Sequence, residues 1–207
     1  MASGLTRLRD HLAGASIDLV GNGPSASDWR PRPSVRVVTV NAGLKLMAEH
    51  DAMADLCWIQ DERFIATKPD ALLPYLCRTR FFAANADIAH QAGIVDDRLI
   101  AIRMLDYETF SRDPRIGLGH GYNVIFGALQ ILRWCGVRRI DVYGVGLRYW
   151  STDTRFDQRV RGFDVDLHRS GDQVRLVRKA LDIVAADGIE VEIHGPSALS
   201  VARTATA

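Results

Sequence analysis

The chain has 207 residues, 47% hydrophobic and 25% charged, with a formal charge of +1, the composition of an ordinary globular protein. A chain of this length buries about 70% of its unfolded surface, so residues 1–207 can form one domain without disulfides or a structural metal. Lys and Arg number 26 against 25 Asp and Glu, leaving no strong field for a phosphate backbone or an anionic bilayer, and nucleic acid is excluded as an expected partner. No stretch reaches the roughly 18 apolar residues of a membrane span, so no integral membrane segment is expected. Cys57, Cys77 and Cys135 are widely spaced among apolar neighbours, which reads as three buried thiols in a reducing, cytoplasmic setting. A homo-oligomer is compatible with all of this.

Short β-branched runs alternate with helical periodicity along the chain. Residues 16–20 form the first predicted strand, and Gly21-Asn22-Gly23-Pro24-Ser25 follows directly, leading into a short helix over 25–29. Strands follow at 35–40, 56–59, 80–83 and 99–102. Residues 107–121, with Pro114 and three glycines, read as a loop or lid before a helix over 122–135 that Gly136 stops. A strand at 140–143 leads to a polar segment rich in Arg, Asp and Thr, 147–169, which reads as a lid. A helix over 172–186, stopped by Gly188, and a strand at 189–193 complete the series; the Ala- and Thr-rich end from 202 reads as disordered. The strand runs are too continuously apolar for a sheet with one wet face. The expected fold is therefore α/β and Rossmann-like: a mostly parallel sheet of about seven strands, helices on both faces and a lid insertion.

The turn after the first strand carries the sharpest chemical signal. Gly21 permits a tight turn, Gly23 keeps a Cβ out of a ligand's way, Pro24 suits a first helical position, and Asn22 and Ser25 add polar groups to a phosphate cradle. With Ala26 the stretch also fits G-x-G-x-x-G/A, but a dinucleotide wants an acidic residue at the end of the second strand, where Asn41 stands, so NAD is disfavoured. The alternative is a tight strand-to-helix turn with no ligand. Asn41 either points its amide into the strand-end crevice or caps the next helix, and Asp61 either holds a substrate hydroxyl or is a cap. Gly119, His120, Gly121 and Asn123 precede the long helix. Such an entry offers amides to an anion, or is a flexible connection in which His120 covers the helix end. Arg148, Tyr149, Arg155 and His168 lie in the polar segment, where they could bind a leaving phosphate and move a proton, or form a solvated loop balanced by Asp153, Asp157, Asp164 and Asp166. His11, His50 and His90 carry no metal spacing, and His194 reads as structural, so no metal ligands are assigned.

Several of these stretches fall in a familiar order. Residues 18–25, Val40-Asn41, residues 139–145, Phe156-Asp157, His168 ahead of Ser170, and Pro196-Ser197 with Leu199 resemble the bacterial CMP-sialic acid-dependent sialyltransferases. The resemblance implies an inverting glycosyltransferase that needs no cofactor. It would move an acidic sugar of sialic acid or Kdo type from a CMP-activated donor to a glycan acceptor hydroxyl. In that reading Asn22, Gly23 and Ser25 hold the nucleotide, Asn41 and Asn123 contact ribose or base, Arg148 and Tyr149 stabilise departing CMP, and His168 is the base, with Asp61 and Arg155 as substrate contacts. Tyr149 stands one place off the family's lid tyrosine, Thr154 occupies the other tyrosine position, and the Gly119-His120-Gly121 entry is displaced from the family's Ser-Gly motif. The first turn is also similar to that of 6-hydroxymethylpterin pyrophosphokinase-like and motility-associated glycosylation proteins. A pyrophosphokinase would use ATP and magnesium, with Asp61 and Asp141 as its placed carboxylates; a third alternative is a nucleotide-binding module without chemistry.

Overall fold

The structure is a computed structural model that describes residues 3–60, 73–91, 97–147 and 170–199. Every predicted strand forms: β1 Ser16–Val20, β2 Arg36–Val40, β3 Ala54–Ile59, β4 Thr79–Asn85, β5 Leu99–Ile102, β6 Arg139–Tyr143 and β7 Glu190–Ile193. The helices are α1 Gly4–Leu12, α2 Gly43–Glu49, α3 Ala86–Gln91, α4 Val124–Cys135 and α5 Ser170–Ala186, with 3-10 turns at Pro24–Asp28 and Leu73–Arg78. The short helix expected over 25–29 is thus a 3-10 turn, which places Trp29 in the core directly after it. Helix α4 starts where the Asn123 side chain accepts the Ile125 N–H (2.9 Å) and stops at Gly136, whose φ of 70° ends the helical hydrogen bonding.

The seven strands are all parallel, in the order β5-β4-β3-β2-β1-β6-β7. The chain builds outward from β1 to β5, then returns to lay β6 on the other side of β1 and β7 beyond it. The strand order therefore reverses between β1 and β6, where an open α/β sheet leaves a crevice outside the carboxyl ends of its strands. Because parallel crossovers are right-handed, connections running in the two directions pass over opposite faces. On one face α1, α4 and α5 cover Ile17, Leu19, Val38, Leu56, Trp58, Ile140 and Val142. On the other, α2 and Trp29 cover Val20, Val37, Cys57, Ile59, Phe82 and Ala84. No described helix crosses this second face over β6 and β7. Helices therefore lie on both faces, as expected, and among the described residues none of them packs over Asp141, Tyr143, Glu192 and His194 of β6 and β7.

Cys57 and Cys135 are buried, and burial raises both thiols, that of Cys135 to about 12. Cys77 corrects the expectation of three buried thiols: it is exposed on the 3-10 turn, whose neighbours Tyr75 and Leu76 supply the contacts to the core. Among the described residues, no helix is long and apolar enough to cross a membrane.

Candidate functional site

The Gly21–Ser25 turn lies at the strand-order reversal, held by the chain that leaves β6 and β7. Gly21 N–H donates to the Tyr143 carbonyl (2.8 Å) and Gly23 N–H to the Gly144 carbonyl (2.7 Å). A Cβ on Gly21 would stand 2.7 Å from the Gly144 oxygen, and one on Gly23 would stand 2.6 Å from it. Gly195, at φ +79°, leaves no space for a Cβ beside Ser25, with Ser25 Cβ 2.8 Å away. The glycines thus have a different reason from the one the sequence offered. Gly23 makes room for Gly144, and its amide is already bonded, so the turn is clamped before any ligand arrives. Among the described residues the Asn22 Oδ1 has no hydrogen-bond partner, although the atom is buried.

The next two strand ends repeat that feature. Asn41 follows β2 with a φ of 48°, and its N–H donates to the Trp58 carbonyl (3.1 Å). The two readings of this residue now separate: α2 takes Ala42 as its cap residue, with no side-chain cap, and Asn41 Oδ1 is buried without a partner among the described residues. Gln60 follows β3, 4% exposed, and its Nε2 donates to the His120 carbonyl (2.7 Å) while its Oε1 is buried and unpartnered. Trp58 Nε1 is likewise unpartnered. Both atoms lie against Gly127 of α4, whose added Cβ would meet Trp58 Nε1 at 2.6 Å and Gln60 Oε1 at 2.9 Å. Buried polar atoms normally find partners, so the unsatisfied oxygens of Asn22 and Asn41 at adjacent strand ends are candidates for a ligand contact, whereas that of Gln60 packs against α4. The sequence did not single out Gln60; its position ending a buried strand was the available signal.

The second glycine-rich stretch is closed rather than open. Gly119 N–H donates to Gln130 Oε1 (2.9 Å), His120 N–H to the Asp106 carbonyl (3.0 Å) and Gly121 N–H to the Tyr107 carbonyl (2.9 Å). Gln130, fully buried on α4, also accepts from Ser111 N–H (2.7 Å) and donates to the Gly119 carbonyl (3.0 Å), pinning both ends of this loop to one side chain. These amides do not stand free for an anion. Glycine is required at 119 because a Cβ would overlap the Thr109 carbonyl, and at 121 because one would overlap Phe126.

Beneath the crevice, on the α2 side of β1, β6 and β7, lies a charged network. Asp18 and Asp141 are register partners in the middle of β1 and β6, both essentially inaccessible. Arg32 bridges them, pairing with Asp18 and donating to Asp141 Oδ2 (2.7 Å), and Trp29 Nε1 donates to Asp18 (2.9 Å). Arg139 Nη2 (2.8 Å) and His194 Nε2 (3.1 Å) complete the shell of Asp141, and His194 stacks on Tyr143 at 4.3 Å. Burial alone would raise the Asp141 carboxyl, but the hydrogen bonds from Arg139, Arg32 and His194 outweigh it and hold the group far below its usual range. Burial, with Asp18 nearby, raises the Tyr143 phenol. Asp141, Glu192 and His194 place their ligand atoms within 4.8 Å of one another, yet the two carboxylates are already held by guanidinium groups. Asp141 is consequently a poor magnesium ligand, which removes one of the two carboxylates a pyrophosphokinase would need.

Asp61, Arg148, Tyr149, Arg155 and His168 lie outside the described residues. The structure thus brings Asn22, Gly23 and Ser25 to the reversal point and Asn41 to the next strand end, with His120 joined to Gln60 at the third. Asn123 serves as the α4 cap, its Nδ2 3.4 Å from Gln173 Oε1.

No protein-family profile matches the chain, and no curated protein matches it. Solved structures do. The monofunctional α-2,3-sialyltransferase Cst-I of Campylobacter jejuni superposes with a TM-score of 0.53 at 12% identity, covering 87% of this chain and 75% of its own. An α-2,3-sialyltransferase of C. jejuni in apo form gives 0.47 at 10% identity, covering 86% and 75%. The sialyltransferase CST-II, in complex with a trisaccharide acceptor and CMP, gives 0.47 at 14% identity, covering 86% and 80%. At such identities the likeness to Cst-I establishes a shared fold: a parallel α/β sheet of the kind on which that sialyltransferase is built.

Proposed function

We propose that the protein is a glycosyltransferase that binds a CMP-activated acidic sugar across the carboxyl ends of β1 and β2 and transfers that sugar to a glycan hydroxyl with inversion. The observation carrying this reading is the pair of buried, unpartnered side-chain oxygens of Asn22 and Asn41 beside the clamped Gly21–Ser25 turn, at the reversal of strand order. The fold shared with Cst-I, an α-2,3-sialyltransferase, supports the glycosyltransferase class. In this reading Asn22 and Ser25 contact the nucleotide and its phosphate, Asn41 accepts from ribose or base, and Arg148 and Tyr149 stabilise departing CMP. His168 takes the acceptor hydroxyl's proton as its oxygen attacks the anomeric carbon and the bond to CMP breaks, a role worth about 10²- to 10⁴-fold in rate. CMP leaves as a monophosphate, so the transfer needs no metal to neutralise a diphosphate.

Calorimetric titration with CMP, CDP, ATP and NAD, with and without magnesium, tests this. The expected result is magnesium-independent preference for CMP, weakened about tenfold by Asn22→Ala through loss of one polar contact. Magnesium-dependent preference for ATP would replace the reading with a pyrophosphokinase. Binding of CMP with no transfer to acceptor or water would reduce the protein to a nucleotide-binding module.

A further inference from the structure

Tyr107 is a large apolar surface residue, 44% exposed, in the loop between β5 and α4. Its ring stacks on Tyr122, centroids 4.3 Å apart and 13° from parallel, and the His120 ring lies 4.8 Å away. The backbone beneath is braced on three sides. Asp106 Oδ1 accepts the N–H groups of Glu108 (2.9 Å) and Thr109 (2.7 Å), the Tyr107 carbonyl accepts from Gly121, and the His120 carbonyl accepts from Gln60 at the end of β3. Gly121 and Tyr122 both have left-handed backbone, φ +60° and +52°, a conformation that costs a tyrosine about 1–2 kcal/mol and places its ring in the stack. An aromatic surface fixed in this way loses little freedom when a ligand settles on it.

The position and charge of this platform narrow what it takes. Its His120 side is tied to the end of β3, and the ends of β3 and β1 are two strands, or about 10 Å at the usual spacing, apart. That separation suits the second substrate of a transfer whose donor sits at β1. Tyr107 stands between Asp106 and Glu108; the hydrogen bonds from Thr109 keep the Asp106 carboxyl ionised. Arg175 is shared between Glu108 and Asp172 (2.8 and 3.1 Å), and Lys179 reaches the Glu108 carbonyl (3.2 Å), so three carboxylates face two cations. Among the described residues this balance favours a neutral ligand over an anionic one. The negative face of an aromatic ring attracts the weakly positive C–H groups on one side of a pyranose, and neighbouring polar groups serve its hydroxyls. We propose that Tyr107, backed by Tyr122 and His120, is the platform on which the terminal pyranose of a neutral glycan acceptor stacks; this rests on the glycosyltransferase reading and names its second substrate.

The full chain, titrated with methyl galacto-, gluco- and N-acetylglucopyranosides by ligand-observed NMR and with CMP by calorimetry, tests the proposal. At least one pyranoside binds saturably, Tyr107→Ala weakens it about tenfold, Tyr107→Phe restores it, and CMP affinity stays within about twofold throughout. Unchanged far-ultraviolet circular dichroism and thermal midpoint establish that Tyr107→Ala remains folded. Three results overturn the platform: no pyranoside binds the wild type, Tyr107→Ala leaves pyranoside binding unchanged, or Tyr107→Ala lowers CMP affinity, which would place the base on this ring. If CMP fails to bind while pyranosides bind through Tyr107, the donor reading falls and the sugar platform stands.

Discussion

Two parts of the same sheet face solve one problem differently. Over β2, β3 and β4 the face carries Val37, Cys57, Ile59, Phe82 and Ala84, and α2 seals it with Leu44, Leu46 and Met47. Over β1, β6 and β7 it carries Asp18, Asp141, Tyr143, Glu192 and His194, and among the described residues a strap, Trp29 to Arg32, crosses it, the guanidinium bridging two carboxylates. Right-handed crossovers decide which part receives a helix, because connections toward β2 to β5 pass over this face and those toward β6 and β7 pass over the other. The difference teaches that topology sets where apolar residues can be used. Where no described helix arrives, the strands carry charges that tolerate water at their outer ends and pair with one another further in. The covered part holds the sheet together, and the strapped part supports the turn on which the proposed nucleotide would rest.

If that division is right, the largest effect comes from the covered part. Phe82, with no accessible surface, touches the α2 side of the core, and Phe82→Ala should cost about 3–5 kcal/mol in urea unfolding, through lost burial plus the cavity left behind. The loss should be equal at pH 7 and pH 3, since no charge is involved. A loss below about 1 kcal/mol would mean that this core collapses around the deletion and is not the rigid part.

The strapped part should respond to pH. Arg32→Met should cost roughly 2–3 kcal/mol at pH 7, the moderate figure reflecting a guanidinium that is 39% exposed and partly screened, while leaving two inaccessible carboxylates short of a partner. Because the folded Asp141 carboxyl is held below its ordinary value, its stabilisation is fully present above about pH 4, the unfolded range, and fades as pH falls below that. The deficit of Arg32→Met should therefore narrow between pH 7 and pH 3, whereas that of Phe82→Ala should not. Equal deficits at both pH values would show that Arg32 acts through packing of its stem.

How much of this was legible in the sequence depended on the range of the interaction. Strands show as runs of β-branched residues because a doubly covered strand must be apolar on both sides, and the stops at Gly136 and Gly188 show because only glycine easily takes the left-handed backbone there. The strand order does not show, and with it went the partners of Asp18 and Asp141, which are 123 residues apart and meet only because β6 returns beside β1. The same blindness affected Gly23, read as clearance for a ligand when the atom it avoids is the Gly144 carbonyl. Gly119 and Gly121 looked like an open anion site because the buried amide of Gln130 and the carbonyls of Asp106 and Tyr107 lie in other parts of the chain. Asn41 was readable as one of two local possibilities; the lack of any cap bond to α2 separated them.

The smallest effect tests how tightly the strapped part is knit. His194 gives Asp141 a third hydrogen-bond partner and stacks flat on Tyr143, so His194→Phe removes the first contact and can keep the second. Asp141 retains Arg32 and Arg139 after the change, so the cost should stay below about 1 kcal/mol. A loss above about 2 kcal/mol would mean that two guanidiniums do not satisfy Asp141 without the imidazole. The polar network would then be as intolerant of a single change as the packed part beneath α2, and the contrast between the two would lie only in its response to acid.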